Sequence, residues 1–483
     1  MDVQATSPEL ERKSSGMRDF ILYLILAATT CADVVVALIP TRSEQHEVLV
    51  TRSERYQVIQ TFAAVGRGAK TPMGLAADKA GNLYGSTFTG GSGSWGTVFE
   101  LNPPSLSGSR WEMQVLSDVN NREIGGGPFW SMIAPNGDLY GATSDGGVRG
   151  GGTLYKYQFG DHGWGEPIAL FNFAIRPSPI DTLSEPISDS SGALYGTTHG
   201  SGGKDAGGTV FKLSPGPDGW TVTVLHRFSG GDGDGAYPYG GLTMDGAGAL
   251  YGTTSGGGKD DLGTVFKLTP TDHGWEETLL HTFRQMDGSG GEGGLLPMAG
   301  LTLGDDGTLY GTTAGGGKFG AGVVFSLTPS DHNGWSERVL YHFKREAGDG
   351  FAPNSRLVFG KSGALYGTTK AGGDMPGYRG YGTVFKLVPT GTGWSEVVRH
   401  FIEQLQRDDV PTATGWSEVV LHCFTGGADG SGPTGSLIRD PSGNLFGTTI
   451  GVGRSGAYDD GTVFEIETGG FSDGGSNAPS GPM

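Results

Sequence analysis

The sequence predicts an all-β fold: a seven-bladed β-propeller of four-stranded antiparallel blades, closed by an N-terminal strand. The first observation behind this prediction is a tandem repeat, in which GxLYGTT is followed by GTVFKL and then by a Trp-led segment ending in LHxF. The second is the uniform turn chemistry between these segments, and the third is an incomplete unit at each end. A repeat of about fifty residues is typical of radially arranged β-sheet units.

An aromatic residue marks the same position in every repeat. These residues are Tyr84, Tyr140, Tyr195, Tyr251, Tyr310, Tyr366 and Phe446. The first six recur every 55 to 59 residues, and the last interval is longer because WSEVV occurs twice, at Trp394 and again at Trp416. We therefore predict one repeat domain over residues 55–467, with a duplicated insert at about residues 394–415.

Each repeat divides into four strands by its alternation of apolar and polar residues. In the fourth repeat the segments are GGLTMD, ALYGTT, GTVFKLTP and WEETLLHTF, joined by turns such as DGAGA and TDHGW. Asp, Asn and Gly at these turns favour tight hairpins, so consecutive strands form an antiparallel meander. The tyrosines and phenylalanines of LYG and VF are predicted to form the core.

The two ends of the repeat array predict how the ring closes. The seventh GTVFEI segment, at residues 461–466, has no Trp-led strand after it, whereas YQVIQTF at residues 56–62 matches the missing strand. Pairing the two removes the exposed edges of an open ring. In the sixth blade we expect residues 416–424 to form the fourth strand and residues 402–409 to be extruded, although the sequence also allows the opposite assignment.

The N-terminal region carries the one long apolar stretch of the chain, at residues 20–39. Basic residues precede it, so residues 1–40 are predicted to be an export signal or, alternatively, a membrane anchor and leader. Residues 41–54 are predicted to be a linker and residues 468–483 a disordered tail. We therefore expect a secreted, periplasmic or cell-envelope protein of a bacterium, whose mature ring does not enter the membrane if the signal is cleaved.

Charge and composition limit the classes of partner. The formal net charge is −18, and no basic cluster interrupts the acidic surface. Such a chain repels a nucleic-acid backbone, so we expect no nucleic-acid partner. We also expect the ring to be a monomer.

The repeat units resemble those of a known family. GNLYGSTFTGG, GALYGTTSGGGKDDLGTVFKLTP and GNLFGTTIGVG are similar to the units of the GloVer tandem-repeat proteins of bacteria, and the resemblance covers roughly residues 55–467. It implies an exported protein with a β-propeller-like repeat fold. It implies no catalytic residues.

A search for catalytic motifs gives no catalytic residue. Most histidines lie at repeated positions, in LHxF or in the DHG turn, which favours a structural role; His46 and His199 are the exceptions. GxSxG, HExxH, Walker A and CxxC patterns are absent from the sequence. Calcium is a candidate cofactor because Asp232 and Asp234 of GGDGDGAYP form an oxygen-rich loop, although Asp-Gly is also ordinary turn chemistry.

The strongest functional indication is the variation of the loops between the second and third strands. In a meander these loops share one face with the segments that enter each blade. Exposed aromatic residues among polar ones there suit a glycan or a protein partner, while neutral drift in tolerant loops is the alternative. The candidate ligand-binding residues are Trp95, Lys204, Lys259, Phe319, Tyr378, Arg379, Tyr381 and Tyr458.

Two functions follow from these observations. The first is a noncatalytic exported binding or scaffold propeller that recognises a glycan or a protein through its variable loop face. The alternative is a propeller-type enzyme, such as a lactonase, a lyase or a glycoside-processing protein, with its site in the central channel. Its candidate residues are Glu123, Asp181, Glu185 and Asn354.

Overall fold

The computed structural model describes most of the repeat domain and two short segments before it. The described residues are 36–40, 46–50, 54–62, 70–105, 110–119, 123–161, 163–174, 184–200, 207–217, 219–284, 293–330, 334–360, 363–373, 380–389, 416–451 and 461–468. They form strands and turns. A helix long and apolar enough to cross a membrane does not occur among them.

A separate compact unit contains the first two strands, β1 (Val36–Pro40) and β2 (His46–Val50). They pair antiparallel, with Val36 opposite Val50 and Pro40 opposite His46. The predicted export signal otherwise lies outside the described residues. The predicted linker contains β2, and only residue 468 of the predicted tail is described.

Seven antiparallel four-stranded sheets form a ring, which confirms the predicted seven-bladed propeller. The strand β3 (Arg55–Thr61) precedes the first blade. Blade 1 consists of β4 (Lys70–Ala77), β5 (Leu83–Thr89), β6 (Thr97–Asn102) and β7 (Glu112–Asp118). Blade 2 consists of β8 (Gly126–Ile133), β9 (Leu139–Asp145), β10 (Gly150–Tyr157) and β13 (Ile168–Ala174), with the short pair β11 (Phe159–Gly160) and β12 (Gly163–Trp164) between the last two.

The next three blades have short inner strands. Blade 3 consists of β14 (Ile187–Ser188), β15 (Leu194–Thr198), β16 (Thr209–Gly216) and β17 (Gly219–Arg227). Blade 4 consists of β19 (Thr243–Met244), β20 (Leu250–Thr254), β22 (Thr264–Thr271) and β23 (Gly274–Thr282), with the pair β18 (Gly235–Ala236) and β21 (Gly256–Gly257). Blade 5 consists of β25 (Thr302–Leu303), β26 (Leu309–Thr313), β28 (Val323–Pro329) and β29 (Trp335–His342), with the pair β24 (Gly294–Leu295) and β27 (Gly315–Gly316).

The last two blades complete the ring. In blade 6 the inner strand is split into β30 (Asp349–Pro353) and β31 (Val358–Phe359), followed by β32 (Leu365–Gly373), β33 (Thr383–Pro389) and β34 (Trp416–Cys423). Blade 7 consists of β35 (Pro433–Arg439), β36 (Leu445–Thr449), β37 (Thr462–Glu467) and β3. The second WSEVV copy, in β34, pairs with β33 as predicted, and the insert at 394–415 lies outside the described residues.

The predicted closure of the ring is confirmed. The N-terminal strand β3 pairs with β37, with Arg55 opposite Glu467 and Thr61 opposite Thr462. Phe62 is fully buried beside Phe99 of blade 1, with 5.1 Å between the ring centroids. The closure therefore satisfies the backbone of β37 and extends the core across the junction between blades 7 and 1.

A glycine–proline contact joins neighbouring blades. At Gly263, the first residue of the GTVF segment of blade 4, a Cβ would lie 2.7 Å from Cδ of Pro297 in blade 5. The residue before this proline, Leu296, has a positive φ and donates its N–H to the Leu262 oxygen at 3.0 Å. The same close approach occurs at Gly96–Pro128, Gly208–Pro238, Gly322–Pro353, Gly382–Pro433 and Gly461–Pro72. The residue before the proline has a positive φ at every one of these joints.

Candidate functional site

One end of the ring carries the variable loops. The loops between second and third strands, such as residues 90–96, contact the segments that enter the next blade, such as residues 123–127, and together these loops and segments form what we call the loop face. The Gly127 N–H donates to the Trp95 oxygen at 2.8 Å, and the Tyr237 N–H donates to the Gly207 oxygen at 2.6 Å. The predicted grouping of these connections on one face therefore holds for the described blades. The opposite end, formed by the tight hairpins, is the hairpin face.

Exposed apolar side chains are concentrated on the loop face. Ten large apolar side chains are exposed among the described residues, and seven of them lie at this face: Phe88, Trp95, Val148, Tyr237, Tyr239, Leu296 and Phe319. Phe159 lies in a hairpin, and Ile168 and Val419 lie on outer strands. Exposed apolar groups gathered on one face of a protein indicate an interaction site.

Three of the loop-face side chains form an aromatic cluster between blades 3 and 4: His199, Tyr237 and Tyr239. The His199 ring stacks on Tyr237, with centroids 5.4 Å apart, and meets Tyr239 edge-on at 5.7 Å. The two tyrosines are 41% and 53% exposed. Partial burial lowers the pKa of His199, so the imidazole is neutral near pH 7. The cluster thus presents uncharged flat rings to solvent.

The local sequence explains why the cluster is rigid. Tyr237 has a φ of 60° and directly precedes Pro238, whose Cδ would lie 2.7 Å from a Cβ at Gly208. The Tyr237 carbonyl oxygen accepts hydrogen bonds from both the backbone N–H and the hydroxyl of Ser255, each at 3.0 Å. Backbone strain of this kind persists only where the surroundings hold it in place.

The candidate residues named from the sequence divide into three groups. Trp95 and Phe319 are exposed at the loop face, and Lys259 is exposed in the corresponding loop of blade 4. Tyr381 is half-buried and packs with the core between blades 6 and 7. The others lie outside the described residues: Lys204, Tyr378, Arg379 and Tyr458. Tyr237 and Tyr239 were not among the residues predicted from the sequence, although AYPYGG places tyrosines on both sides of the joint proline.

Charged side chains lie in the central channel, where the inner strands of the blades approach one another. The guanidinium of Arg356 reaches from blade 6 and donates from Nη2 to the Leu242 oxygen of blade 4 at 2.8 Å. Gly241 and Gly300 leave room for it, since a Cβ at either position would lie 3.0 Å or less from Nη2. Burial raises the pKa of Glu185, whereas the positive charge of Arg356 lowers it. Arg356 and Glu185 therefore interact electrostatically inside the channel.

Among the described residues, the candidates for an enzyme site in the central channel do not form a pair of carboxylates. Glu123 is exposed at the entry to blade 2, and Asn354 is half-buried on blade 6. Asp181 lies outside the described residues. Of those candidates, Glu185 is the carboxylate that the structure places in the channel. The charged group that affects it there is the guanidinium of Arg356 rather than a second acid. Paired carboxylates are the usual requirement for acid–base work on glycosides.

Three side-chain positions recur where outer strands of neighbouring blades meet; we call them the rim positions. The first is the histidine of LHxF on the outer strand of one blade. The second is the residue four positions before the joint proline of the next blade. The third is the second residue after the tryptophan on the outer strand of that next blade. The occupants are His226, Asp234 and Glu277 between blades 3 and 4; His281, Gly293 and Glu337 between blades 4 and 5; Tyr341, Asp349 and Glu418 between blades 5 and 6; and His422, Asp429 and Tyr56 between blades 6 and 7.

Of the two aspartates predicted to bind calcium, only one lies at a rim position. Asp234 occupies a rim position, where its Oδ1 lies 3.3 Å from Nε2 of His226. Asp232 is exposed and does not belong to the group of potential metal ligands found there among the described residues.

The rim between blades 5 and 6 leads to a prediction about pH. Burial raises the pKa of Asp349 to about 6, and burial together with Asp349 raises that of Glu418 well above its usual value. Carboxyl groups with raised folded-state pKa values stabilise the fold at low pH, and this stabilisation is lost as the pH rises through about 6. Glu418→Gln is therefore expected to raise the free energy of unfolding by about 1 kcal/mol or more at pH 8 and to leave it nearly unchanged at pH 4.

Urea denaturation at the two pH values measures this difference. The matched control is Glu276→Gln, which removes a charge from an exposed position on the outer strand of blade 4. An equal gain from both variants at pH 8 would mean that net charge, rather than the buried carboxyl pair, causes the effect.

The fold and the two faces define the class of protein: a closed seven-bladed β-propeller with an aromatic-rich loop face. The model of the Gloeobacter/Verrucomicrobia repeat matches residues 112–304 and 291–472, and the chain belongs to this repeat family. No curated protein gives a significant match.

The solved structures similar to this chain have low sequence identity to it. A gluconolactonase from Xanthomonas campestris is 13% identical, with a TM-score of 0.38 over 71% of this chain and 95% of that chain. A PQQ-bound aldose sugar dehydrogenase from Streptomyces coelicolor is 15% identical, with a TM-score of 0.38 over 86% and 99%. PorZ, a surface component of the type IX secretion system of Porphyromonas gingivalis, is 13% identical, with a TM-score of 0.47 over 92% and 51%. Their activities carry no argument for this chain.

Proposed function

We propose that this protein is a noncatalytic exported binding propeller that recognises a glycan of the cell surface or its surroundings through the loop face. The observation that carries the proposal is the concentration of exposed aromatic rings there, above all the cluster of His199, Tyr237 and Tyr239. Rigid aromatic side chains with polar tips bury large areas at little entropic cost. A sugar ring offers the matching surface, apolar on its C–H face and polar at its hydroxyls.

Charge narrows the expected ligand to a neutral or basic glycan. The chain carries a formal net charge of −18, which disfavours an acidic polysaccharide at low ionic strength. The export signal predicted from residues 1–40 supports a location outside the cytoplasm, where such glycans occur. Shallow exposed rings suit binding rather than bond cleavage, because a hydrolase needs paired acids beside its sugar site.

Binding of the full-length chain to immobilised glycans tests the proposal. We expect the double variant Tyr237→Ala, Tyr239→Ala to lose at least tenfold in affinity, because two stacking rings are removed from the site. Trp95→Ala is expected to have a smaller effect. The matched control is Phe159→Ala, which removes a more exposed ring, 65% exposed, from the hairpin face.

The outcomes separate the candidate functions. Loss of binding in the tyrosine variant with retention in the Phe159 variant supports the glycan site. Equal glycan affinities in the unchanged protein, the tyrosine variant and the Phe159 variant would overturn the proposed glycan site. Binding only to a protease-sensitive component of envelope fractions would instead favour a protein partner on the same face.

A further inference from the structure

The rim between blades 3 and 4 brings three potential metal ligands together. His226 lies on β17 of blade 3, Asp234 lies in the segment entering blade 4, and Glu277 lies on β23 of blade 4. The imidazole Nε2 is 3.3 Å from Oδ1 of Asp234 and 3.4 Å from Oε2 of Glu277. All three side chains are largely buried, at 13–21% exposure.

These distances match the spacing of ligand atoms around a tetrahedral ion. Zinc bonds to nitrogen and oxygen of about 2.0–2.1 Å place neighbouring ligand atoms about 3.3 Å apart. The potential ligand atoms of the three residues lie within 4.8 Å of one another, so a small movement of one carboxylate completes the set. We propose that His226, Asp234 and Glu277 bind a divalent transition-metal ion of the zinc class, which links blade 3 to blade 4.

The other rim positions of the ring provide an internal comparison. Each of them lacks one member of the donor set: Gly293 replaces the aspartate between blades 4 and 5, Tyr341 replaces the histidine between blades 5 and 6, and Tyr56 replaces the glutamate between blades 6 and 7. Between blades 6 and 7 the Tyr56 ring stacks on His422, with 3.5 Å between the ring centroids. Among the described rims, only the one between blades 3 and 4 keeps all three donors.

The surrounding hydrogen bonds leave the right atoms available for an ion. Oδ2 of Asp234 accepts from the backbone N–H and the hydroxyl of Ser229, at 2.6 and 2.7 Å, which orients Oδ1 towards His226. Oε1 of Glu277 is buried and has no hydrogen-bond partner, and the same holds for Oε1 of Glu337 at the incomplete rim between blades 4 and 5. A buried carboxylate oxygen without a partner is costly, and a bound cation would satisfy it.

The donor chemistry distinguishes this site from the calcium site expected from the sequence. An imidazole nitrogen with two carboxylates suits zinc and related transition metals, whereas calcium prefers six to eight oxygen ligands. Three protein ligands leave one tetrahedral position for water. The site sits between two blades, so the ion would stabilise the ring by mass action.

Isothermal titration of the full-length chain with zinc chloride, after removal of metals by a chelator, tests the proposal. One equivalent is expected to bind at this site, with an affinity at least 100-fold weaker in His226→Ala and at least tenfold weaker in Glu277→Gln. His281→Ala alters the incomplete rim between blades 4 and 5 and is expected to bind as the unchanged protein does. Calcium chloride is expected to give no binding at this site.

Cobalt substitution provides a readout that does not depend on stability. Co²⁺ at the site is expected to give the visible absorption of a tetrahedral ion, which Glu277→Gln weakens while that variant still folds. An unchanged zinc affinity in both His226→Ala and Glu277→Gln would overturn the proposal. So would the absence of saturable binding, because the three groups would then form only a hydrogen-bonded ion pair.

Discussion

Gly263→Ala is expected to lower the free energy of unfolding by about 3 kcal/mol. The φ of Gly263 is 103°, a region in which a Cβ costs about 1–2 kcal/mol. The added methyl group would also lie 2.3 Å from the Thr254 oxygen and 2.7 Å from Cδ of Pro297. Overpacking at such a joint adds a further cost of about 1–3 kcal/mol, because one blade must move away from the next.

Gly248→Ala separates the two contributions. Gly248 has a φ of 83° in a hairpin turn, but nothing lies within 4 Å of its added Cβ. Urea denaturation is expected to show a loss of only about 1 kcal/mol for this variant. If the two substitutions destabilise the ring equally, the glycine–proline joint contributes nothing beyond local backbone strain.

Phe62→Ala is expected to lower the free energy of unfolding by about 3–5 kcal/mol. Phe62 follows the closing strand β3, is fully buried, and packs with Phe99 in the core between blades 7 and 1. Its backbone N–H donates to the Gly461 oxygen at 3.1 Å. The cost is large because the cavity would open at the point where the two ends of the repeat array meet.

The repeat offers a matched control for this effect. Phe343 occupies the equivalent position in blade 5, is also fully buried, and packs with Phe385 at 5.1 Å. Phe343→Ala is expected to cost the same as Phe62→Ala in chemical denaturation. A Phe62 variant as stable as the unchanged protein, beside a destabilised Phe343 variant, would show that the N-terminal strand does not close the ring.

The architecture could be predicted because every repeat shows the same pattern of strands and turns. Seven repeats, each with LYG or LFG and with GTVF or a close variant, specify the strand order, and the missing last strand identifies residues 56–62 as its substitute. The joint proline was not recognised from the sequence, because its partner is a glycine of the preceding blade. Contacts between blades depend on ring geometry, which the period alone does not give.

The candidate sites were predicted less completely, and the reasons are physical. Repetition of the LHxF histidines favoured a structural role for all of them, yet the neighbours of His226 differ from those of His281 and His422. His226 and Asp234 are close in sequence, but Glu277 belongs to the outer strand of the next blade, so the spacing of residues does not reveal the third ligand. Tyr381 illustrates the opposite case, since a variable loop position is half-buried against the core.

We expect the loop face, and not the hairpin face, to bind the ligand. Hydrogen–deuterium exchange of the full-length chain, with and without a glycan identified by the binding assay, tests it most directly. We expect slower exchange on ligand addition in segments 88–96, 199–200 and 236–241, and no change in hairpin segment 158–165. Protection confined to the hairpin face, or no protection at saturating glycan, would contradict it.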